Sequence, residues 1–270
     1  MTASPLPEIG LIIVGDEILS GKRADKHLPK LIELLSARGL QLAWAEYVGD
    51  SPERITATLQ RAFAGGDVVF SCGGIGATPD DHTRQCAARA LGVDLALHPQ
   101  AEVLIRERMQ DLAREQGAPY EPDRPDNVHR LNMGVFPQGA ELIPNPFNKI
   151  PGFFVDRVFF VPGFPVMAHP MIEWVLDTRY GALHGSQVQT ERSFIVFGAM
   201  ESTLTPLMEQ VERAHAGIKV FSLPSVDHPQ WGRHIELGVK GAAEQMDEAY
   251  AALKAGVLEY GASISTEMVR

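Results

Sequence analysis

Apolar positions along the chain fall into two alternating rhythms. Residues 8–14 form a short run rich in Ile and Val, the pattern of a strand buried on both faces. Leu28, Leu31, Ile32 and Leu35 then recur at helical spacing, and Gly39 stands where a left-handed C-cap belongs. Residues 40–48 read as a second strand. Ser51-Pro52-Glu53 opens another helix, with Ser as N-cap and Pro in the first turn. Ile55, Leu59 and Phe63 form its stripe, and Gly65-Gly66 ends it. Residues 67–72 are a third strand, and a glycine-rich turn leads from it into a helix over 79–91. A longer helix follows over 99–116, then a Pro-rich loop over 117–125, strands over 140–143, 152–155 and 157–161, and a helix over 166–177.

Residues 178–190 show little periodicity and read as a linker. Beyond them the order changes: strand over 191–198, helix over 203–214, strands over 219–223 and 233–239, and a long helix over 242–260. This β-α-β-β-α series predicts a small α+β domain with helices on one face of its sheet. The expected division is therefore 1–180 and 181–270. In the first part, strands separated by helices mean a mostly parallel sheet covered on both faces, with right-handed crossovers.

In such sheets ligands gather beyond the carboxyl ends of the strands. Gly15-Asp16-Glu17, Asp50 and the stretch from Gly73 to Asp81 all fall there, and Pro162-Gly163 ends a further strand. Gly73, Gly74 and Gly76 let backbone amides approach a ligand closely, and the next helix turns its positive end to the same place, which suits a phosphate. The loop lacks the Lys-Ser/Thr of a Walker A motif and does not fit the dinucleotide fingerprint. Asp80 and Asp81 would repel a phosphate unless a cation lay between, and Mg²⁺ takes one or two carboxylates together with phosphate oxygens. With Thr78 as N-cap and Pro79 at the first position, the same acids would merely complement the helix dipole. For Asp81 both readings stand; Asp80 reads first as capping. Asp16, Glu17 and Asp50, delivered to the same crevice, would also repel one another unless they shared a proton or a cation. His82 reads as a surface histidine, Cys72 and Cys86 as small core residues, and Phe153, Phe154, Phe159 and Phe160 as core.

Charge and composition narrow the partners. Twenty-four Lys and Arg against thirty-four Asp and Glu give a formal charge of −10, the wrong sign for a protein held to nucleic acid by phosphate neutralisation. The second part, with seven basic and eleven acidic residues, has no basic face either. Two cysteines make neither a disulfide framework nor a zinc site, which points to a reducing, cytoplasmic setting. No signal peptide is evident at the N-terminus. The most apolar stretch, 153–167, is broken by Asp156, Arg157, Pro162 and Gly163, so no membrane span is expected.

Three motifs taken together are specific. Gly15-Asp16-Glu17-Ile18-Leu19-Ser20-Gly21, Val48-Gly49-Asp50 and the run from Gly73 to Thr83 resemble the MoaB/Mog-type molybdopterin-binding domain, in the version found in CinA-like (competence/damage-inducible) proteins. The likeness continues through 137–146, Pro151-Gly152-Phe153 and Pro162-Gly163-Phe164-Pro165, and reaches Phe197-Gly198 and Glu201-Ser202. It implies a three-layer α/β/α first domain and a KH-like second one, and it places Asp50 and Asp81 where Mog-type enzymes keep aspartates needed for activity. It further implies metal-dependent hydrolysis of ADP-ribose at its pyrophosphate, or alternatively molybdopterin adenylyl transfer or simple binding of molybdopterin or a nucleotide. Longer relatives add a C-terminal deamidase domain with no counterpart in these residues. Relatives of this fold assemble as dimers or trimers, so a homo-oligomer is expected.

The chain therefore leads to a definite expectation. Asp50 and Asp81 are the catalytic candidates, with Asp16, Asp50 and Asp81 as Mg²⁺ ligands. Gly15, Asp16, Glu17, Gly73, Gly74, Gly76, Thr78, Asp80, Thr83, Pro162 and Gly163 surround a phosphate-bearing small molecule. His27, Ala77, Met133 and Val166 depart from the residues usual in the family, which favours the binding-module alternative.

Overall fold

A computed structural model describes residues 7–185, 190–241 and 243–269. The chain divides into two compact units, Met1–Gly185 and Ser186–Arg270. In the first, β1 (Ile9–Val14), β2 (Trp44–Val48), β3 (Val68–Cys72), β6 (Glu141–Ile143), β7 (Gly152–Val155) and β8 (Val158–Val161) form one sheet, ordered β2-β1-β3-β8-β7-β6. The pairs from β2 to β8 are parallel; β8–β7 and β7–β6 are antiparallel, because only a tight turn links β7 to β8.

Strand side chains alternate between faces, so an unbroken apolar run feeds two cores. Ile9, Leu11 and Ile13 pack with Phe70, Phe159 and, from α2 (His27–Ser36) and α7 (Pro165–Arg179), with Leu31, Leu35, Met171 and Val175. Ile12 and Val14 pack on the opposite side with Val69, Phe153 and Phe160. There they meet Ile55 and Leu59 of α3 (Pro52–Gly65), Cys86 and Ala87 of α4 (Thr83–Leu91) and Ala101 of α5 (Pro99–Glu115). This is the three-layer α/β/α arrangement. The phenylalanine cluster is core, as read: Phe136, Phe153 and Phe160 stack in series at 4.6 and 4.4 Å. Cys72 and Cys86 are free thiols buried in the two cores.

Local signals behave as their chemistry dictates. Ser51 caps α3 by accepting from the Arg54 amide, and Gly66 ends the helix at φ 78°. Short elements escaped the sequence reading: α1 (Asp16–Leu19), β4 (Leu95–Leu97), β5 (Val135–Pro137), which pairs with β4, and α6 (Pro125–Arg130) within the expected loop. Each is too short to show a period. The helix after the glycine turn begins at Thr83 rather than 79, with His82 at its N-cap. Asp80 and Asp81 thus precede the helix, and the capping role considered for them does not exist. Helix α7 extends to Arg179, into the expected linker, of which 186–189 lie outside the described residues.

In the second unit β9 (Thr190–Phe197), α8 (Glu201–Ala214), β10 (Lys219–His228), β11 (Gly232–Gly241) and α9 (Ala243–Glu259) follow the expected series. The structure adds β12 (Ser263–Val269) to it. The sheet runs β10-β11-β9-β12 and is antiparallel throughout. Five of the seven β12 residues are exposed, so no apolar alternation betrayed it. Its own core joins Phe194, Val196, Leu204, Leu237 and Leu253.

Candidate functional site

The carboxyl ends of β1, β2, β3 and β8 open onto one cleft of about 730 Å³. Gly15, Glu17, Asp50, Gly73, Gly74, Gly76, Thr78, Asp80, Asp81, Pro162 and Gly163 line it, as the strand-end argument required. Asp16 and Thr83 are absent from the lining; both serve the frame.

The glycine loop is shaped by what holds its carbonyls. Gly73 O accepts from the Thr83 hydroxyl at 3.0 Å, and Gly74 O from the Thr83 amide at 2.9 Å. Gly76 O accepts from Arg84 Nη2 at 2.5 Å, and Ala77 O from His129 Nε2 at 2.9 Å. In a trans peptide the N–H points opposite to the C=O. Anchoring these four carbonyls behind the loop therefore turns the amides of Gly74, Ile75 and Ala77 to its other side. These residues line the cleft, and none of the three amides finds an acceptor among the described residues. Successive unpaired amides on a concave loop form an anion cradle. Glycine is needed at two points: Gly73 (φ 105°) and Gly74 (φ 68°) sit in left-handed backbone. A Cβ at Gly73 would lie 2.3 Å from Val14 O, and one at Gly74 2.2 Å from Thr83 Oγ1.

Arg84 is the anchor that the sequence did not reveal. Its side chain is buried, and besides Gly76 O it holds the carbonyls of Asn132 and Val135. A planar guanidinium with several fixed donors can fasten three backbone segments at once, which a lysine cannot. His129 was missed too, since its partner lies 52 positions away.

The acids divide by role. Asp16 and Asp50 exchange bonds: the Asp16 amide donates to Asp50 Oδ2 at 2.9 Å, and the Asp50 amide to Asp16 Oδ1 at 3.1 Å. The Asp16 carboxylate is thereby turned onto the backbone at Gly49–Asp50, locking the ends of β1 and β2 together. Asp81 Oδ2 accepts from the Thr78 amide at 2.8 Å and its hydroxyl at 2.6 Å, bracing the loop beside Gly76. Asp50 keeps its carboxyl on the cleft. Burial is the largest force raising its pKa, and the charges of Asp16, Glu17 and Asp80 push the same way against the lowering bond from the Asp16 amide. Asp80 is exposed and held below its usual range, chiefly by a hydrogen bond from Thr78.

Among the described residues no three His, Cys, Asp or Glu side chains gather closely enough to hold a metal. The expected triad of Asp16, Asp50 and Asp81 is thus corrected: the three do not gather as a metal-holding group, and each carboxylate already accepts a backbone amide, from Asp50, Asp16 and Thr78 respectively. What remains for a cation is Asp50 with its acidic neighbours, an incomplete set that suits only an ion arriving with other ligands.

Lys22, Arg23, Asn145 and Asn148 also face the cleft and were not expected. The Asn145-Pro146 segment had read as loop punctuation; Asn145 is in fact buried, tying Asn148 Oδ1 and Ile150 O. Gly163 O accepts from His27 Nε2 at 3.1 Å, and burial pushes the pKa of that histidine down.

Residues 10–180 match the family model described as "Probable molybdopterin binding domain". A protein of Aeropyrum pernix is 31% identical over 276 aligned positions, covering 97% of each chain. A CinA-like protein of Anaeromyxobacter sp. strain K is 32% identical over 221 residues, 78% of this chain. The chain spans about half the length of the CinA-like relatives it matches, 51% in that case. The crystal structure of CinA from Thermoplasma acidophilum matches at 25% identity with a TM-score of 0.53, over 63% of this chain and 97% of that one.

Proposed function

The chain belongs to the molybdopterin-binding domain family through residues 10–180, and from that premise we propose that its cleft binds the phosphate of a pterin- or nucleotide-like ligand and carries out chemistry at that phosphate. One observation carries this reading: three unpaired amides of the glycine loop share a cleft with a carboxyl of raised pKa. The amides would hold phosphate oxygens and stabilise charge developing on them, the role of a preorganised donor set. Asp50 lies on the same wall, its pKa raised by burial and by the charges of its acidic neighbours.

The reaction we propose is hydrolysis of a pyrophosphate bond of the ADP-ribose type. Mg²⁺ fits the site only as an ion carried in on the ligand's phosphates, with Asp50 and Asp80 as its carboxylates. When bound it would neutralise charge on the transferring phosphoryl group. Asp50 would orient the attacking water through its free oxygen. Asp16 and Asp81 act at one remove, by fixing Asp50 and the loop.

Incubation with Mg²⁺ and separately with ADP-ribose, NAD, FAD and molybdopterin, read by mass spectrometry, tests the reading. Turnover of a pyrophosphate, abolished by EDTA and by Asp50→Asn, is expected. A second reading is favoured by the engagement of Asp81 and the incomplete metal set: a module that holds its ligand without turning it over. Binding indifferent to EDTA, with no product over hours, would establish it in place of the first.

A further inference from the structure

The turn Pro162-Gly163-Phe164 leaves β8, lines the cleft and leads into α7. It lies against the glycine loop: a Cβ at Gly163 would stand 3.5 Å from the Gly73 Cα. One tie to the rest of the unit is His27, the first residue of α2, whose Nε2 meets Gly163 O at 3.1 Å. From α7, His169 returns a hydrogen bond to the backbone of Lys26, the residue before α2. The two rings meet edge to face, with centroids 5.4 Å apart at 87°. The N-terminal parts of α2 and α7 are thus laced together twice, each time through an imidazole.

The lacing fixes where the protons sit. A carbonyl only accepts, so His27 carries its hydrogen on Nε2 and its Nδ1 is a bare lone pair. That Nδ1 is buried with no hydrogen-bond partner among the described residues, and so is Nε2 of His169. A proton added to either nitrogen would make a buried, charged N–H without an acceptor. His27 is 5% exposed, and burial is the largest force lowering the pKa of both rings from the ordinary 6.5. Neighbouring charges do not reverse this. The Gly163 bond and Asp25 pull His27 upward, but the Asp25 oxygens already take the His27 and Leu28 amides and the Tyr47 hydroxyl. His169 is pushed further down by His27 and Lys30, against the Lys26 bond and Glu33, which is itself paired with Lys30.

We propose that His27 and His169 are positioning residues for the cleft, which tie the Pro162-Gly163-Phe164 turn to α2 only as an uncharged pair, so that acid loosens the turn and weakens anion binding beside it. The inference rests on the reading of the cleft as a phosphate site and adds a proton as its regulator. Both rings have folded pKa values below the unfolded one, so the native state resists the protons that the unfolded chain takes up. The stability that the pair contributes is therefore present above pH 6.5 and is lost as pH falls through the lowered values.

NMR titration of the unliganded protein tests the tie without any ligand. The His27 ring should titrate below its ordinary value, and the Gly163 and Phe164 amide signals should shift with it; amides that ignore the ring overturn the tie. Calorimetry at pH 8 and pH 5, on protein shown folded by circular dichroism, tests the consequence. Sulfate is the probe, because its charge does not change across this range. At pH 8, H27L should bind sulfate about ten-fold more weakly than the wild type, the loss of one buried hydrogen bond. H27Q, whose amide nitrogen stands in for Nε2, should recover most of that loss. The double variant H27Q/H169N keeps both donors and has no ring to protonate. The ratio of wild-type to double-variant affinity should fall about ten-fold between pH 8 and pH 5, and the titration of Asp50, common to both proteins, cancels in it. A constant ratio overturns the proton gate, and H27L binding as tightly as the wild type overturns the positioning role; should H27L fail to fold, the ratio decides. A wild type that binds neither sulfate nor phosphate at pH 8 would instead overturn the reading of the cleft, and the NMR titration would still decide the tie.

Discussion

Asp50 carries a charge that its folded surroundings disfavour. Its carboxyl is partly withdrawn from water and faces three acids, so ionisation is less favourable in the folded chain than in the unfolded one. A folded pKa raised above the unfolded value means that the native state binds the extra proton. Stability is then lost as pH rises from the ordinary value of 3.8 through the raised one. Asp50→Asn removes the repelled charge and leaves an oxygen for the Asp16 amide. Thermal melts of this variant should show a higher Tm than the wild type at pH 7, with the difference vanishing toward pH 3, while turnover or phosphate binding falls at least ten-fold. A variant that loses activity and also melts lower would show Asp50 to be a structural residue. Asp16, its hydrogen-bond partner at the end of β1, should melt lower as Asp16→Ala, since its carboxylate accepts a backbone bond that alanine cannot replace.

At the scale of elements, the glycine loop is a surface shaped from behind. Thr83 and Arg84 at the start of α4, and His129 on α6, hold its carbonyls. Arg84→Met removes three carbonyl contacts from a buried position; Asn132 O keeps the Val135 amide, while the Gly76 and Val135 oxygens lose their guanidinium donor, at about 1–3 kcal/mol for each group stranded from water. The loop amides would no longer be aimed. Chemical denaturation should report a loss of several kcal/mol, and phosphate affinity measured on the fraction still folded should drop as well. Arg84→Lys should recover part of the stability but little of the affinity, since an ammonium lacks the fork that reaches three segments. If affinity survived in the folded Arg84→Met protein, the amides would not depend on this anchor.

At the scale of the molecule, every residue lining the cleft lies between Val14 and Met167, inside the first compact unit, which has two hydrophobic cores of its own. A chain of residues 1–185 should therefore fold cooperatively and bind phosphate as tightly as the full chain, by calorimetry and circular dichroism. A loss of binding in a well-folded fragment would assign the second unit a share in the site. Among the described residues no helix is long and apolar enough to cross a membrane.

The layered α/β architecture, the strand order of chemistry at the sheet's edge and the family itself were legible in the sequence. They depend on local periodicity, capping and glycine placement, which act over a few residues. Gly73, Gly74, Asp50 and Pro162-Gly163 could be placed at the mouth of the cleft from sequence because strand ends announce themselves through the chain's own rhythm. Arg84 and His129 were not, because each owes its place to partners that only folding brings within hydrogen-bonding distance. The acids show the same division most sharply: their presence near one mouth followed from the order of residues. How each carboxylate is engaged was decided by the backbone amides of Asp50, Asp16 and Thr78, whose directions no linear pattern encodes.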